Sequence, residues 1–222
     1  MDGRLLNPIS YRNSRSRPAD PEGVFDLTHD LLAVLRDANA LKEGHFLLAS
    51  GRHSGQYVEK FDLLRRPRAT EAACRGFSDR FREERVDVVV GPTTGGILLA
   101  FEVARQLDVM SAYAERRADG APGREVRRDT TFARGARVLV VDDILTTGGS
   151  IRETLAALES HPVTVIGVGV LVDRSGGRVD FDVPLVPLAS LDIETWLPES
   201  CPLCAASVPL LKPGTTTPMV SS

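Results

Sequence analysis

The chain has 222 residues, 42% of them hydrophobic, which is enough for one domain with a sizeable core and a small added lobe. A formal charge of −3 and a pI near 5.8 give no basic field for nucleic acid, and no apolar run approaches the length of a membrane span. No signal peptide opens the sequence, so a cytoplasmic location is expected.

Residues 1–24 place Arg4, Arg12, Arg15 and Arg17 among Asn, Ser and Pro without periodicity, the composition of a flexible arm. Residues 25–39 read as an amphipathic helix with Phe25, Leu27, Leu31, Leu32 and Leu35 on its apolar positions. A second helix is expected over residues 68–84, where Cys74 among Ala72, Ala73 and Phe77 reads as a small buried hydrophobe. Residues 86–90 form an apolar strand, then Gly91-Pro-Thr-Thr-Gly-Gly96 a loop, then residues 97–107 a helix with Ile97, Phe101, Ala104 and Leu107 along one face. Residues 138–141 read as a fully buried, parallel strand. After it come Asp142 and Asp143, the small loop Thr146-Thr-Gly-Gly-Ser150 and a helix whose apolar positions are Ile151, Leu155 and Leu158. Ser150 with Glu153 has the form of a capping box, which predicts a helix start at Ser150. A third buried strand covers residues 163–172, with Arg174 just past its end. Residues 212–222, with Pro213, Gly214 and three Thr, form a second loose end, so the expected domain is 25–211.

The loop after Asp143 brings unpaired N–H groups, the positive end of a helix and two Thr hydroxyls to one point, which makes an anion site. Two adjacent carboxylates at the end of a buried strand repel each other and gain no packing, but they suit the two vicinal hydroxyls of a ribose. Nucleoside triphosphatases need a Lys after the last Gly of such a loop, where Ser150 stands, and dinucleotide fingerprints space their glycines differently. Gly91–Gly96 is a second loop whose backbone can approach an anion closely. Two anion loops suit a donor with a phosphate at one end and a pyrophosphate at the other.

Residues 138–150 closely resemble the phosphoribosyl-pyrophosphate (PRPP) motif of type I phosphoribosyltransferases. That resemblance implies an α/β fold, a central, mostly parallel sheet flanked by helices, with a small hood lobe over the site. Three further segments narrow it to the orotate phosphoribosyltransferases. Gly44-His-Phe-Leu-Leu-Ala-Ser-Gly-Arg-His-Ser-Gly-Gln-Tyr57 is similar to their hood segment, residues 88–97 to their pyrophosphate loop, and residues 167–177 to the strand bearing the orotate-binding Arg. With Cys201-Pro-Leu-Cys204, the order matches a bacterial branch, and the resemblance spans roughly residues 25–213. It implies a hood from about residues 44–60 plus the C-terminal segment, substrates PRPP and orotate, Mg2+ carried with PRPP without an assigned protein ligand, and a homodimer.

The resemblance further implies that Thr93, Thr94 and Gly95 bind pyrophosphate, while Ile144, Leu145, Thr146, Thr147, Gly148, Gly149 and Ser150 cradle the 5-phosphate. Asp142 and Asp143 hold the ribose and stabilise an oxocarbenium-like ring, and Thr146 and Arg174 orient orotate. Residues 113–124 match a mobile lid, here without Lys or His, so Arg116 and Arg117 are its candidate PRPP contacts and Arg116 its candidate catalytic cation. Ala49 stands where some relatives carry a Lys, and Lys60 and His53 are the possible compensating side chains. Two alternatives stay open: a different heterocyclic acceptor, and a regulator that binds PRPP without turning it over. Cys201 and Cys204 have the spacing of half a zinc site, but no second pair follows, so a compact structural turn is expected. A metal there would need ligands from another subunit or from a distant His.

Overall fold

The computed structural model describes residues 27–126 and 130–213, with side chains described from residue 31 onward. The arm expected over residues 1–24, Phe25 and most of the expected tail lie outside those residues. In chain order the elements are α1 (Leu27–Asp37), β1 (Leu41–Leu47), β2 (His53–Val58), α2 (Lys60–Leu64), α3 (Pro67–Phe81), β3 (Val88–Pro92), α4 (Gly95–Leu107), β4 (Met110–Arg116), β5 (Arg124–Val126), β6 (Ala136–Leu145), α5 (Gly149–Leu158), β7 (Val163–Asp173), β8 (Leu185–Ser190), β9 (Thr195–Trp196) and α6 (Pro202–Ala205).

Alternation along the Val-rich strands builds the centre. Side chains on a strand point to opposite faces in turn, so an apolar run with both faces covered must feed two cores. Val89 of β3, Leu139 and Val141 of β6 and Leu171 of β7 join one core with Leu31 and Leu35 of α1, Phe77 of α3 and Leu99 of α4. Val88, Val90, Val138, Val140, Val168 and Val170 point the other way, against Ile151 and Leu158 of α5 and Phe181. Burying a side chain such as Phe77, fully inaccessible here, stabilises the fold by about 2–3 kcal/mol. It fits because Gly169 faces it: a Cβ there would stand 2.8 Å from the Phe77 ring.

The six-stranded sheet has the order β5-β4-β3-β6-β7-β8. All neighbours are parallel except β5, which pairs antiparallel with β4. From β3 the chain crosses through α4 to β4 on one side, and from β6 through α5 to β7 on the other. The crossovers diverge between β3 and β6, and sheets of this kind bind ligands at such a switch point, beyond the C-terminal ends of the strands. A separate antiparallel sheet, β1-β2-β9, joins the first hairpin to a strand from near the C-terminus.

Several boundaries differ from expectation. α1 stops at Asp37 because Asn39 turns left-handed, at φ 55°. β3 runs Val88–Pro92 instead of 86–90, its register set by Val88 facing Met110 and Pro92 facing Ala114. α4 starts two residues early, and its buried face is Leu99, Ala100, Val103 and Ala104. Phe101, expected inside, is 63% exposed. Two apolar stripes run along this helix, and only packing against β3, β6 and α3 decides which is covered. β6 extends through the acidic pair to Leu145 because β7 continues to pair with it, Asp142 opposite Val170 and Leu145 opposite Asp173.

Candidate active site

The loop after β3 and the loop after β6 meet at the switch point, with glycine making the contact. A Cβ on Gly95 would lie 1.9 Å from Asp143 Oδ2, so any side chain there would collide with the acid. Gly91 and Gly96 are closed in the same way, since a Cβ on Gly91 would meet the Gly96 carbonyl oxygen at 2.0 Å. Thr93 and Thr94 are joined by a cis peptide, and the Thr93 N–H donates to the Ala114 carbonyl at 3.0 Å.

Asp142 and Asp143 are both buried, at 5% and 3% exposure. The Asp142 Oδ1 accepts the Asp143 N–H at 2.8 Å, and its Oδ2 accepts the Ser150 hydroxyl at 2.7 Å. Burial first, and then the neighbouring Asp143, push the Asp142 carboxyl up to about 6. Asp143 accepts the Ile144 N–H at 2.7 Å. Lys60 Nζ at the start of α2 donates to its Oδ1 at 3.0 Å and lies 2.8 Å from Oδ2. One acid is thus tied to the start of α5 through Ser150 while the other is held by a cation.

The capping box is not formed. α5 begins at Gly149, with Gly148 as its N-cap at φ 78°, and the Ser150 hydroxyl is spent on Asp142. A Cβ on Gly148 would stand 2.9 Å from Val179, so both space and backbone angle select glycine. Thr146, Thr147 and Gly149 are exposed, so the N–H groups of the first turn of α5 open to solvent beside the acids. Glu153, the expected capping partner, lies 3.3 Å from Arg124 Nε instead.

Arg174 is brought to the same rim by its N–H, which donates to the Leu145 carbonyl at 2.8 Å. Its Nε is buried and has no hydrogen-bond partner among the described residues. Burial lowers its pKa, with Tyr57 pulling the other way. The Tyr57 phenol is raised by burial and then by Glu59, against Lys60 and Arg174, with Asp143 adding to the rise. These five groups therefore share one electrostatic neighbourhood. Asp173 forms no pair with Arg174 in this arrangement: it is buried and accepts the Ser175 N–H at 2.7 Å.

Other sequence expectations land elsewhere. His53 is buried against His45 and does not serve the substrate side of the hood. Residues 113–124 are largely a hairpin, with Arg116 opposite Arg124 in the β4–β5 ladder. Arg116 is exposed at the end of β4. Arg117 forks Asp119 through Nε at 3.2 Å and Nη2 at 2.7 Å, and lines a cleft with Arg152 and Ala156 that includes neither acid. Within one chain, then, Arg117 is not brought to the cradle. Arg124, not singled out from the sequence, is: its Nη1 donates to Thr93 Oγ1 at 2.8 Å and to the Ala114 carbonyl at 3.2 Å. No local pattern marks it, because the hairpin register does the placing. Lys60 had only a weak signal, a cation at the last position of the expected hood segment.

Known proteins with this arrangement agree on its class. The family model "Phosphoribosyl transferase domain" matches residues 62–195. An orotate phosphoribosyltransferase of Caldicellulosiruptor bescii is 44% identical over 183 residues, covering 82% of this chain and 95% of that protein. One from Carboxydothermus hydrogenoformans is 44% identical over 187 residues, covering 83% and 96%. The crystal structure of orotate phosphoribosyltransferase from Aeropyrum pernix superposes with a TM-score of 0.62 at 33% identity, over 72% of this chain and 93% of that one. With two glycine-closed loops meeting over an acidic pair, and relatives this similar across most of its length, the chain belongs to the phosphoribosyltransferase family, in its orotate phosphoribosyltransferase branch.

Proposed function

We propose that the chain transfers ribose 5-phosphate from PRPP to orotate, giving orotidine 5-phosphate and pyrophosphate in pyrimidine biosynthesis. The observation that carries the reading is the close approach of Gly95 to Asp143, which sets two glycine-rich loops on either side of one buried acid. The names of the similar proteins supply the acceptor. An unpartnered guanidinium Nε at Arg174 fits a carboxylate-bearing base, since a fork of N–H donors matches a planar carboxylate.

In this reading the N–H groups of residues 146–150 fix the 5-phosphate, and Thr93, Thr94, Gly95 and Arg124 face the pyrophosphate. Asp142 and Asp143 hold the ribose hydroxyls and supply negative potential as C1 loses its leaving group. Tyr57, Thr146 and Arg174 orient orotate for attack on C1. The donor set fits magnesium, which prefers hard oxygens and keeps several waters. Entering with PRPP, it would be drawn to the negative potential of Asp142 and Asp143 and would neutralise charge on the departing pyrophosphate.

A homodimer fits the apolar face left on α4, where Leu98 and Phe101 are 43% and 63% exposed one turn apart. In such a dimer Arg116 and Arg117 on the hairpin tip would serve a neighbouring site. No helix among the described residues is long and apolar enough to cross a membrane. A cytoplasmic setting is in keeping with the three cysteines forming no disulfide.

The test is the fall in orotate absorbance with PRPP and magnesium. Turnover that depends on both substrates is expected, and Asp143→Asn should cut kcat far more than it weakens PRPP binding. No orotate consumption at millimolar substrate would refute the assignment.

A further inference from the structure

Away from the cradle, four side chains from distant parts of the sequence converge on one point. His45 of β1, His53 of β2, and Cys201 and Cys204 around α6 each direct a ligand atom inward, and all four atoms lie within 4.8 Å of one another. His45 Nε2 is 3.0 Å from His53 Nδ1, 3.4 Å from Cys201 Sγ and 3.8 Å from Cys204 Sγ. Cys204 Sγ is 3.3 Å from His53 Nδ1. We propose that His45, His53, Cys201 and Cys204 bind a structural zinc ion that fastens the C-terminal tail to the hood hairpin.

Three observations carry the assignment. The first is size: zinc with bonds of about 2.3 Å to sulfur and about 2.05 Å to nitrogen gives tetrahedral edges of roughly 3.3–3.8 Å, close to the four separations of 3.0, 3.3, 3.4 and 3.8 Å. The second is valence. His45 Nε2 has one lone pair or one proton, yet His53 Nδ1, Cys201 Sγ and Cys204 Sγ all lie within 3.8 Å of it, so it can hydrogen-bond to one of them and not to all three. A cation at the centre satisfies all of them at once.

The third is the outer hydrogen bond. His45 Nδ1 lies 2.8 Å from the Val208 carbonyl, which can only accept. The proton therefore sits on Nδ1, leaving the Nε2 lone pair aimed into the cluster, as second-sphere carbonyls arrange for metal-bound histidines. The donor set of two thiolates and two imidazoles, with no open carboxylate or water position, selects zinc in a closed structural role.

Apolar packing does little to hold the tail. Leu197, Val208 and Leu211 are 47%, 36% and 38% exposed, and α6 is a single turn. Cys201 is by contrast buried, as are both histidines. What else holds the tail is backbone pairing with β1, Leu47 N–H to the Leu211 carbonyl and Leu211 N–H to the His45 carbonyl, each at 2.8 Å. A small segment with little core of its own commonly relies on a metal or disulfide. The hairpin that this staple would brace carries Ser50 and Gly51 at its turn, so the ion would set the hood's position without touching substrate.

The experiment is metal analysis of the untagged full chain after dialysis, followed by replacement with cobalt(II). One zinc per chain is expected, and the cobalt protein should show the intense visible bands of a tetrahedral site with thiolate charge transfer. Cys201→Ser combined with Cys204→Ser should lose the zinc, and proteolysis of residues 197–211 should quicken. Reduced protein that neither carries nor takes up zinc overturns the proposal, as does a double variant that keeps a full equivalent. Stoichiometric iron in place of zinc overturns the choice of metal. Should the double variant fail to fold, the wild-type cobalt spectrum decides: an octahedral spectrum without thiolate bands overturns the site. None of these readouts requires orotate turnover.

Discussion

Replacing Asp142 with Asn should make the free protein more stable and the enzyme much slower. Its carboxyl is 5% exposed and raised from an ordinary 3.8 to about 6, chiefly by burial and then by Asp143. The native state therefore binds a proton that the unfolded chain has already released between about pH 4 and pH 6. Stability of the wild type falls as pH rises through that window. Above it, a shift of about 2 units corresponds to about 3 kcal/mol lost.

Asn carries no charge to desolvate, so the variant avoids this loss. It keeps an oxygen for the Asp143 N–H, but its amide nitrogen cannot accept from the Ser150 hydroxyl, a cost of about 1 kcal/mol at any pH. The net gain is about 2 kcal/mol, or about 4–8 °C in Tm for a chain of this size. Thermal melts of both proteins at several pH values check it. At about pH 4 the variant should be about 1 kcal/mol less stable than wild type, and the gain should be full above about pH 6.5, while kcat falls by about 10²–10³-fold with the loss of charge beside the ribose. A variant no more stable than wild type at pH 8, or a gain that does not change with pH, would show that the carboxylate is not held against its own ionisation.

Arg174→Gln should raise the KM for orotate by about 10–100-fold, the worth of a charge-assisted pair, with the KM for PRPP unchanged; steady-state kinetics with each substrate varied will tell, and a rise for PRPP alone would place Arg174 at the wrong end of the donor. Gly95→Ala puts a methyl where Asp143 Oδ2 now lies, so it should cost about 3 kcal/mol or more and abolish turnover; a normal melt with normal kcat would mean the loops do not close on each other as described. Phe101→Glu places a charge on the uncovered face of α4 and should shift sedimentation velocity from dimer toward monomer. A dimer that persists would move the interface elsewhere.

The repeated Val runs were enough to read three strands and their buried, parallel character, because alternation into two cores leaves no room for polar positions. The make-up of the loop from Asp142 to Ser150 was likewise legible, since backbone donors, hydroxyls and acids are contiguous there and need no partner from afar. The side on which α4 is covered was not legible: two stripes of apolar residues satisfy the helical period, and Phe101 lost to Leu99 and Val103 only when the sheet was in place. Ser150 and Glu153 have the spacing of a cap, yet each found a stronger partner, Asp142 and Arg124, across the fold.

Lys60 beside Asp143, Arg124 beside Thr93, and two histidines beside Cys201 and Cys204 are pairings between residues 31 to 159 positions apart. A sequence by itself determined what is local here, the strand period, the turn residues and the donors of a single loop. The tertiary structure decided every contact made across the sheet switch point and between the hood and the tail. The reason is that local sequence fixes which groups a segment offers, while strand order and register fix which distant groups come within bonding distance of them.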